Sequence, residues 1–336
     1  MKTLICQEPG KMEIIEQEKP EINNQGDVLI SIKRIGICGT DIHAYGGNQP
    51  FFQYPRILGH ELSGIIAETG SAVSSVAVGD KVTVIPYMHC GTCIACESGK
   101  TNCCTNIKVV GVHIDGGMKD FLVVPEKHVL KVNSLSLNQA AIIEPLSIGA
   151  HAIRRAEIKP EDTVLVIGAG PIGLGVAAFA KTQDAKTIVM DISEKKLKLC
   201  KSWAGCDEVI VSDENNEEKL RAINNGNLPS IVLDATGNKL SMMNAFNYVS
   251  HGGKLIYVGL VKDDISFDDP NFHSKELTLM GSRNATYEDF QYVIERIENG
   301  EINADDYITY ELSFNDTVEH FHNKNHNTNK SVIVLE

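Results

Sequence analysis

The spacing of hydrophobic and polar residues changes near residue 150. Before it, short apolar stretches alternate with glycine-containing turns. The clearest are DVLISIKRI (27–35), HELSGIIAETG (60–70), GDKVTVIP (79–86) and DFLVVP (120–125). Short, partly alternating segments bounded by glycine and proline are typical of β-strands. This part of the chain is therefore predicted to form an all-β body.

From residue 163 onward, continuous apolar strands alternate with helical stretches such as NEEKLRAIN. The predicted strands are TVLVI (163–167), TIVMD (187–191), EVIVS (208–212), SIVLDATG (230–237), KLIYVGL (254–260) and LTLMGS (277–282). This order predicts a doubly wound parallel sheet, the Rossmann arrangement. The tail is β-like again in YITYELSF and KSVIVLE, so we expect it to return to the first domain. The predicted domains are 1–150 with 285–336, and 151–284.

Composition narrows the possible partners. The chain has 336 residues, 43% of them hydrophobic and 22% charged, and its net charge is -13. A protein with this negative charge is repelled by nucleic acid and by anionic membranes, so we expect neither as a partner. The uncharged stretch 163–180 has the length of a membrane helix, but its glycines and proline indicate a strand, a tight turn and a helix start. With no signal peptide expected, we predict a cytoplasmic protein.

Five of the nine cysteines lie within MHCGTCIACESGKTNCC (88–104). Clustered thiols in a reducing compartment bind metal more often than they form disulfides. The spacing C-x2-C-x2-C-x7-C supplies four thiolates that can close around one zinc ion. The predicted ligands are Cys90, Cys93, Cys96 and Cys104, with Cys103 as a competing fourth ligand. Because four protein ligands leave no open position, we expect this zinc to be structural.

A second set of metal ligands lies in GICGTDIH (36–43) and GHE (59–61). A catalytic zinc takes three protein ligands and keeps a fourth position open. Cys38 and His60 can supply a thiolate and an imidazole, and the third ligand is either Glu61 or Glu144. Each residue alone has an ordinary structural explanation. Together with the cysteine lobe and a dinucleotide motif, they predict a catalytic zinc site.

The dinucleotide motif is GAGPIGLG (168–175), which follows an apolar strand and opens a small-residue helix. Its glycines allow a tight turn, close approach of the backbone to a pyrophosphate, and close helix–strand packing. Asp191 ends the next strand, where a carboxylate accepts hydrogen bonds from ribose hydroxyls and repels a 2′-phosphate. We therefore predict NAD rather than NADP. The predicted cofactor contacts are Gly168, Gly170, Pro171, Ile172, Gly173, Asp191, Thr236, Gly237, Val258, Gly259 and Leu260.

These motifs, with EPLSIGAH (144–151), occur in the order found in a known family. The whole chain resembles the zinc-dependent medium-chain alcohol and polyol dehydrogenases, in the sorbitol and threonine dehydrogenase branch. The resemblance implies a GroES-like catalytic domain, a Rossmann domain, two zinc ions per chain and a homodimer or homotetramer. It also implies that Asp41 orients His60 and that Glu61 and Glu144 are alternating or joint ligands. In the implied mechanism, Thr40 takes the proton of the substrate hydroxyl and passes it, through the nicotinamide ribose, to His43.

The segments AYGGNQPFFQYPRILGHE (44–61) and LMGSRNATYEDF (279–290) are similar to those of bacterial dehydrogenases that oxidise L-galactonate or L-gulonate at carbon 5. This similarity implies an aldonate substrate. The implied substrate contacts are Asn48, Gln49, Arg283 and Asn284. A neutral polyol, a butanediol or threonine is the alternative substrate. A dinucleotide-binding redox sensor without turnover is the alternative of another class, since fold does not determine function.

Overall fold

The structure is a computed structural model and describes residues 1–49, 52–323 and 329–336. Within these residues the chain forms two compact units. Unit 1 comprises 1–144 and 286–336, and unit 2 comprises 145–285. The boundaries predicted from the sequence follow residues 150 and 284.

The first part of unit 1 is rich in short strands, which are β1 (Lys2–Glu8), β2 (Lys11–Glu16), β3 (Asp27–Ile37), β4 (Arg56–Ile57), β5 (Glu61–Thr69), β6 (Lys81–Val84), β7 (Tyr87–Met88), β8 (Lys108–Val109), β9 (Phe121–Pro125) and β10 (Val129–Lys131). Its helices are α1 (Gly39–Tyr45), α2 (Ile94–Glu97), α3 (Leu137–Ala141) and α4 (Ile143–Ala156), the last continuing into unit 2. The prediction of an all-β body was therefore wrong for these helical segments. They are short, and α1 and α2 carry little hydrophobic periodicity.

Unit 2 alternates strands and helices as predicted. Its strands are β11 (Thr163–Ile167), β12 (Lys186–Asp191), β13 (Glu208–Val211), β14 (Ile231–Asp234), β15 (Lys254–Tyr257) and β16 (Thr278–Gly281). Its helices are α5 (Pro171–Lys181), α6 (Glu194–Trp203), α7 (Asn216–Ile223), α8 (Lys239–Asn244) and α9 (Asp269–Ser274). In the described part of the chain these strands form one parallel sheet in the order β13-β12-β11-β14-β15-β16. The predicted doubly wound sheet is confirmed.

The tail adds α10 (Tyr287–Glu298), β17 (Tyr310–Ser313), α11 (Thr317–His322) and β18 (Ser331–Val334) to unit 1. Strand β18 pairs antiparallel with β3, with Ser331 opposite Ile37. On its other side β3 pairs with β5, where Gly36 lies opposite Glu61. This three-strand register brings residues from both ends of the chain to one place at the end of β3.

The uncharged stretch 163–180 forms β11, a tight turn and the first part of α5. Val164, Leu165 and Val166 are buried in the sheet. Within the described residues, no helix has the length and apolar character needed to cross a membrane.

Candidate functional site

The end of β3 and the start of α1 present Cys38. Its backbone amide donates to Asp41 Oδ2 at 2.9 Å, and the other oxygen of Asp41 accepts from the Gly59 amide at 3.2 Å. Asp41 is completely buried. One carboxylate therefore fixes the backbone beside Cys38 and the backbone beside His60.

His60 and Glu61 stand where β5 begins, next to Cys38. One ligand atom from each of Cys38, His60 and Glu61 lies within 4.8 Å of the other two. Glu61 Oε2 fits against Gly36, where a Cβ atom would lie only 1.9 Å from that oxygen. Residue 36 must therefore be glycine, because any side chain there would overlap the Glu61 carboxylate.

Two polar atoms of this cluster are buried without a hydrogen-bond partner, His60 Nδ1 and Glu61 Oε2. Buried polar atoms are normally satisfied, and those that are not need an explanation. A thiolate, an imidazole and a carboxylate are also the donor types that zinc prefers. The cluster therefore fits a zinc ion.

The charges around the cluster also favour a cation. Burial alone would lower the pKa of His60, but Asp41 and Cys38 outweigh it and hold that pKa well above its usual range. Lys330 Nζ lies 2.6 Å from Glu61 Oε1 and also donates to the Ile37 carbonyl at 3.1 Å. Burial alone would lower the pKa of Lys330, but Glu61 and Cys38 raise it.

Glu144 is not a member of the three-residue group. It is buried and accepts a hydrogen bond from the hydroxyl of Tyr87. Burial raises the pKa of Glu144 to about 7, although the His60 ring opposes the shift. Of the two carboxylates left open by the sequence, the structure thus groups Glu61 with Cys38 and His60 and places Glu144 beside Tyr87.

Asp41, which the resemblance implies orients His60, lies beside the His60 ring without a hydrogen bond to it. The distance from His60 Nδ1 to Asp41 Oδ1 is 3.8 Å, which is too long. Both carboxylate oxygens already accept backbone amides, so Asp41 acts on His60 through the backbone at Gly59 and through its charge.

The cysteine lobe brings the four predicted sulfur atoms within 4.8 Å of one another. Sulfur–sulfur distances are 3.5 Å for Cys93–Cys96, 3.5 Å for Cys90–Cys104 and 4.0 Å for Cys90–Cys96. A tetrahedral zinc site with its usual zinc–sulfur bonds requires sulfurs about 3.8 Å apart. Cys103 is exposed and outside this group. The lobe fits a four-cysteine zinc ion without the competing thiol.

Backbone amides prepare part of this lobe to bind metal. Hydrogen bonds from the backbone of Cys96 and Thr105 lower the pKa of Cys93 to about 5, and those from Thr92 lower the pKa of Cys90 to about 7. Gly91 and Gly99 adopt left-handed backbone conformations on either side of α2. These turns fold the lobe back on itself.

Thr40 and His43 lie on α1, immediately after Cys38. They are separated by three residues, so they occupy neighbouring positions on one side of the helix. Thr40 is half-buried and His43 is exposed. Asn48 is exposed and Gln49 half-buried after the same helix, while residues 50 and 51 of the predicted substrate segment lie outside the described residues.

The glycine motif of unit 2 forms the turn between β11 and α5. Gly168 has a φ of 97°, and Pro171 occupies the first turn of α5. A Cβ atom at Gly173 would lie 1.7 Å from the Gly168 carbonyl oxygen, so the helix can approach the turn only because residue 173 is glycine. Ile172, the residue after Pro171, is half-buried. A glycine turn packed closely against the amino end of a helix is the arrangement that binds phosphate groups in dinucleotide-binding proteins.

Asp191 is half-buried at the end of β12 and braces this turn. Its Oδ2 accepts from the Ala169 amide at 2.7 Å, and its Oδ1 accepts from the Ser193 amide at 2.8 Å. Each carboxylate oxygen can accept more than one hydrogen bond, so capacity for ribose hydroxyls remains.

The other predicted contacts of unit 2 follow its neighbouring strands. Thr236 and Gly237 follow β14, and Val258, Gly259 and Leu260 follow β15. A Cβ atom at Gly259 would lie 2.3 Å from the Gly237 nitrogen, so the two turns touch through their backbones. Arg283 and Asn284 follow β16, where Arg283 is exposed and Asn284 has a φ of 53°.

Sequence reasoning missed Lys330 and Tyr87. Lys330 opens the apolar segment KSVIVLE, where a lysine ordinarily faces solvent, yet it is 2% exposed. Its partner Glu61 is distant in sequence, so only strand pairing shows the contact. Tyr87 precedes the cysteine lobe and carries no motif of its own.

Comparison with known proteins bears directly on these two metal groups. Residues 24–134 match the model of the alcohol dehydrogenase GroES-like domain, and residues 171–299 match that of the zinc-binding dehydrogenases. The chain is 47% identical to L-galactonate-5-dehydrogenase of Escherichia coli K12, over 94% of this chain and 92% of the relative. This chain belongs to the zinc-binding dehydrogenase family.

Two further relatives extend the comparison. The chain is 34% identical to a probable D-xylulose reductase A of Neosartorya fischeri, over 90% of this chain and 87% of the relative. The second is a solved crystal structure, that of the short chain alcohol dehydrogenase rspB from Escherichia coli CFT073 complexed with NADH. Its sequence is 32% identical to this chain, and the two structures superpose with a TM-score of 0.93 over 100% of this chain and 99% of that one. The predicted family, fold class and oxidoreductase activity are confirmed.

Proposed function

We propose that this protein is a zinc- and NAD-dependent enzyme that oxidises a secondary hydroxyl of a sugar acid, at C5 of an aldonate of the L-galactonate or L-gulonate type. The observation that carries the proposal is the 47% identity to L-galactonate-5-dehydrogenase over 94% of the chain. The match covers 314 of the 336 residues, so it spans most of both units. A cytoplasmic setting belongs to the proposal, because four metal-binding cysteines must stay reduced.

Cys38, His60 and Glu61 would hold the catalytic zinc, with Glu144 as the alternating carboxylate. When bound, the zinc polarises a substrate hydroxyl and lowers its pKa, and the nicotinamide takes up the hydride. Lys330 holds one oxygen of Glu61 at 2.6 Å and leaves the other for the metal. Support for this arrangement comes from the buried, unpartnered atoms of His60 and Glu61.

Thr40 and His43 would move the proton. The Thr40 hydroxyl can accept a proton from the substrate hydroxyl while giving up its own, and the exposed His43 ring can pass a proton to water. Their adjacent positions on α1 and the half-burial of Thr40 support this relay.

The four-cysteine lobe would hold a second, structural zinc. The turn at Gly168–Gly173 would hold the pyrophosphate, and Asp191 would bind the adenosine ribose and exclude a 2′-phosphate. The remaining contacts to NAD would come from Thr236, Val258, Gly259 and Leu260. The sulfur–sulfur distances support the structural zinc, and the close packing of the glycine turn against α5 supports the pyrophosphate site.

Arg283 and Asn284, with Asn48 and Gln49, would contact the substrate. An arginine can hold a carboxylate through two parallel hydrogen bonds, which lysine cannot imitate. This part of the proposal rests on residue type and exposure. We further propose a homo-oligomer, dimer or tetramer, because edge strand β16 leaves Leu279 39% exposed.

Oxidation of a neutral polyol is the second candidate function. It is favoured by the 34% identity to a probable D-xylulose reductase A. The two candidates differ in whether the substrate carries a negative charge.

The deciding experiment measures NADH formation with aldonates and with the corresponding neutral polyols, scored by kcat/KM. We expect L-galactonate or L-gulonate to be preferred, and NAD to be preferred over NADP. Arg283→Ala should raise KM for the aldonate far more than for a polyol. Higher wild-type activity on sorbitol or xylitol than on each aldonate would establish the second candidate. Binding of NADH without turnover of any substrate would instead support a redox sensor.

A further inference from the structure

The carboxylate of Asp234 is the most buried acid at the carboxyl edge of the unit 2 sheet, with 0% exposure. Its Oδ1 accepts from the Thr236 amide at 2.8 Å and from the Thr236 hydroxyl at 2.6 Å. Its Oδ2 accepts from the Ser241 hydroxyl at 2.7 Å, which lies on α8. The side chain thus ties the turn after β14 to the helix that follows it.

The backbone of Asp234 reaches the neighbouring turn as well. Its carbonyl oxygen accepts from the amides of Val258 and Gly259, each at 2.9 Å. Asp234 is therefore bonded to both turns that follow β14 and β15, one through its side chain and one through its main chain.

These two turns are packed too closely to adjust independently. A Cβ atom at Gly237 would lie 2.9 Å from the Leu260 carbonyl oxygen. On the other side, a Cβ atom at Gly168 would lie 3.0 Å from Thr236 Cγ2. A shift of Thr236 would consequently be felt by the turn after β15.

Sheet order determines which part of a dinucleotide meets these turns. Strand β12, which ends in Asp191, lies on one side of β11, and strands β14 and β15 lie on the other. In the Rossmann arrangement the pyrophosphate of a dinucleotide lies at the start of α5, and its adenosine ribose lies at Asp191. The other half of the dinucleotide then extends over β14 and β15. The turns bonded to Asp234 therefore lie on the nicotinamide side. Leu240 and Leu260 are each 69% exposed at this edge, which suits residues that a ligand covers.

We infer that Asp234 is a positioning residue that holds the turns after β14 and β15 in the geometry required by the nicotinamide half of the cofactor. The inference rests on the proposed function, since it presupposes that unit 2 binds NAD. Asp234 does not itself need to touch the cofactor, because its polar atoms are already occupied by Thr236 and Ser241.

The test compares the dissociation constants of NADH and ADP-ribose, measured by calorimetry. ADP-ribose contains the adenosine and pyrophosphate but lacks the nicotinamide. Asp234→Ala should weaken NADH binding about tenfold, as expected for losing a buried hydrogen bond to a charged group, while leaving ADP-ribose binding nearly unchanged. Asp234→Asn should restore most of the NADH affinity, because its oxygen can accept from Thr236 and its amide can donate to Ser241.

A matched control lies at the opposite end of the same strands. Asp162 Oδ1 accepts from the Ser230 hydroxyl at 2.7 Å, just before β14 begins. Asp162→Ala removes a similar bond away from the carboxyl edge and should change neither dissociation constant. If Asp234→Ala does not fold, Ser241→Ala removes one donor alone and should show the same selective loss on a smaller scale.

Equal losses of NADH and ADP-ribose affinity in Asp234→Ala, or no loss of either, would overturn the inference. In that case the wild type still binds NADH, and the proposed function stands. A wild-type protein that binds neither ligand would overturn both.

Discussion

The two oxygens of Glu61 have different surroundings within the group formed by Cys38, His60 and Glu61. Oε1 is 2.6 Å from the Lys330 ammonium, whereas Oε2 is buried without a partner. A carboxylate paired on one side only keeps enough negative charge to attract a cation on the other. Lys330 therefore reduces the repulsion among the buried acids without removing the ligand.

Removing that lysine should be costly. We predict that Lys330→Met lowers the free energy of unfolding of the metal-free protein by about 3–5 kcal/mol, because Glu61 is left as a buried, unpaired charge. Urea unfolding of protein treated with chelator measures this change.

Lys219 provides a matched control. Its Nζ lies 2.6 Å from Asp213 and also donates to a backbone carbonyl, but the two side chains are 37% and 40% exposed. Lys219→Met should cost only about 1 kcal/mol or less, as exposed ion pairs do. Similar losses in the two variants would show that Lys330 acts as a surface lysine does.

His128 predicts a pH dependence of stability. Its ring packs against His89 with centroids 5.1 Å apart, and burial lowers the pKa of His128 from 6.5 to about 4, with the charge of Lys127 acting in the same direction. The unfolded chain therefore takes up this proton at a higher pH than the folded one. The contribution of His128 to stability is constant above about pH 6.5 and falls by up to about 3 kcal/mol as the pH drops towards 4.

Urea unfolding of wild type and of His128→Phe at pH 7 and at pH 4.5 tests this. The variant should lose less stability on acidification than the wild type, because its ring cannot take up a proton. Replacing the exposed His251 in the same way should leave the wild-type acid response unchanged. A His128→Phe response identical to that of wild type would contradict the assignment.

Residue-level chemistry was predictable from the sequence where a motif supplied spacing. The grouping of four cysteines, and that of Cys38 with His60, could be predicted in this way. Lys330, Tyr87 and the buried role of Asp234 could not, because each acquires its partner through strand pairing or burial. Nothing in the local sequence distinguishes a buried lysine before a strand from an exposed one.

Single elements show the same contrast. Strand β11 coincides with the predicted TVLVI, and the other strands of unit 2 lie within the predicted segments to one or a few residues. Buried parallel strands are continuous apolar runs, so their pattern is strong. Helix α1 was missed because its seven residues begin at Gly39 and serve to place Thr40 and Asp41 rather than to cover a core.

Helix α5 contains two glycines that differ in how closely they are packed. At Gly173 a Cβ atom would lie 1.7 Å from a backbone oxygen, whereas at Gly175 its nearest neighbour is a Leu146 methyl at 3.5 Å. We predict that Gly173→Ala displaces the helix and abolishes measurable NADH binding. Gly175→Ala should retain binding. It should raise stability by about 0.5–1 kcal/mol, because alanine loses less backbone entropy than glycine when the helix forms.

Fluorescence titration with NADH and thermal unfolding of both variants measure these effects. Normal NADH affinity in Gly173→Ala would mean that the close approach of α5 to its turn is not needed for binding.

For the whole molecule, the two ligand groups predict two classes of zinc. The four-cysteine group is closed, while the other offers three protein ligands and an open position. Dialysis against a chelator should therefore remove one zinc per chain quickly and the other slowly, as measured by elemental analysis over time.

Two serine variants identify which zinc is which. Cys38→Ser should keep the slowly lost zinc and lose activity, whereas Cys96→Ser should lose the slow zinc and unfold at a lower temperature. A single kinetic class of zinc, or near-normal turnover in Cys38→Ser, would contradict the assignment of the two groups.

The pairing of β18 with β3 has a consequence for biosynthesis. Residues 145–285 are synthesised before Lys330 and β18. Unit 2 can therefore fold while unit 1 still lacks a strand. Until then the nascent chain carries an uncovered edge of β3 and an unpaired Glu61 next to Cys38. The group Cys38, His60 and Glu61 can therefore gain its Lys330 contact only after β18 has been made. A nascent chain stalled in unit 2 would expose a strand edge prone to aggregation.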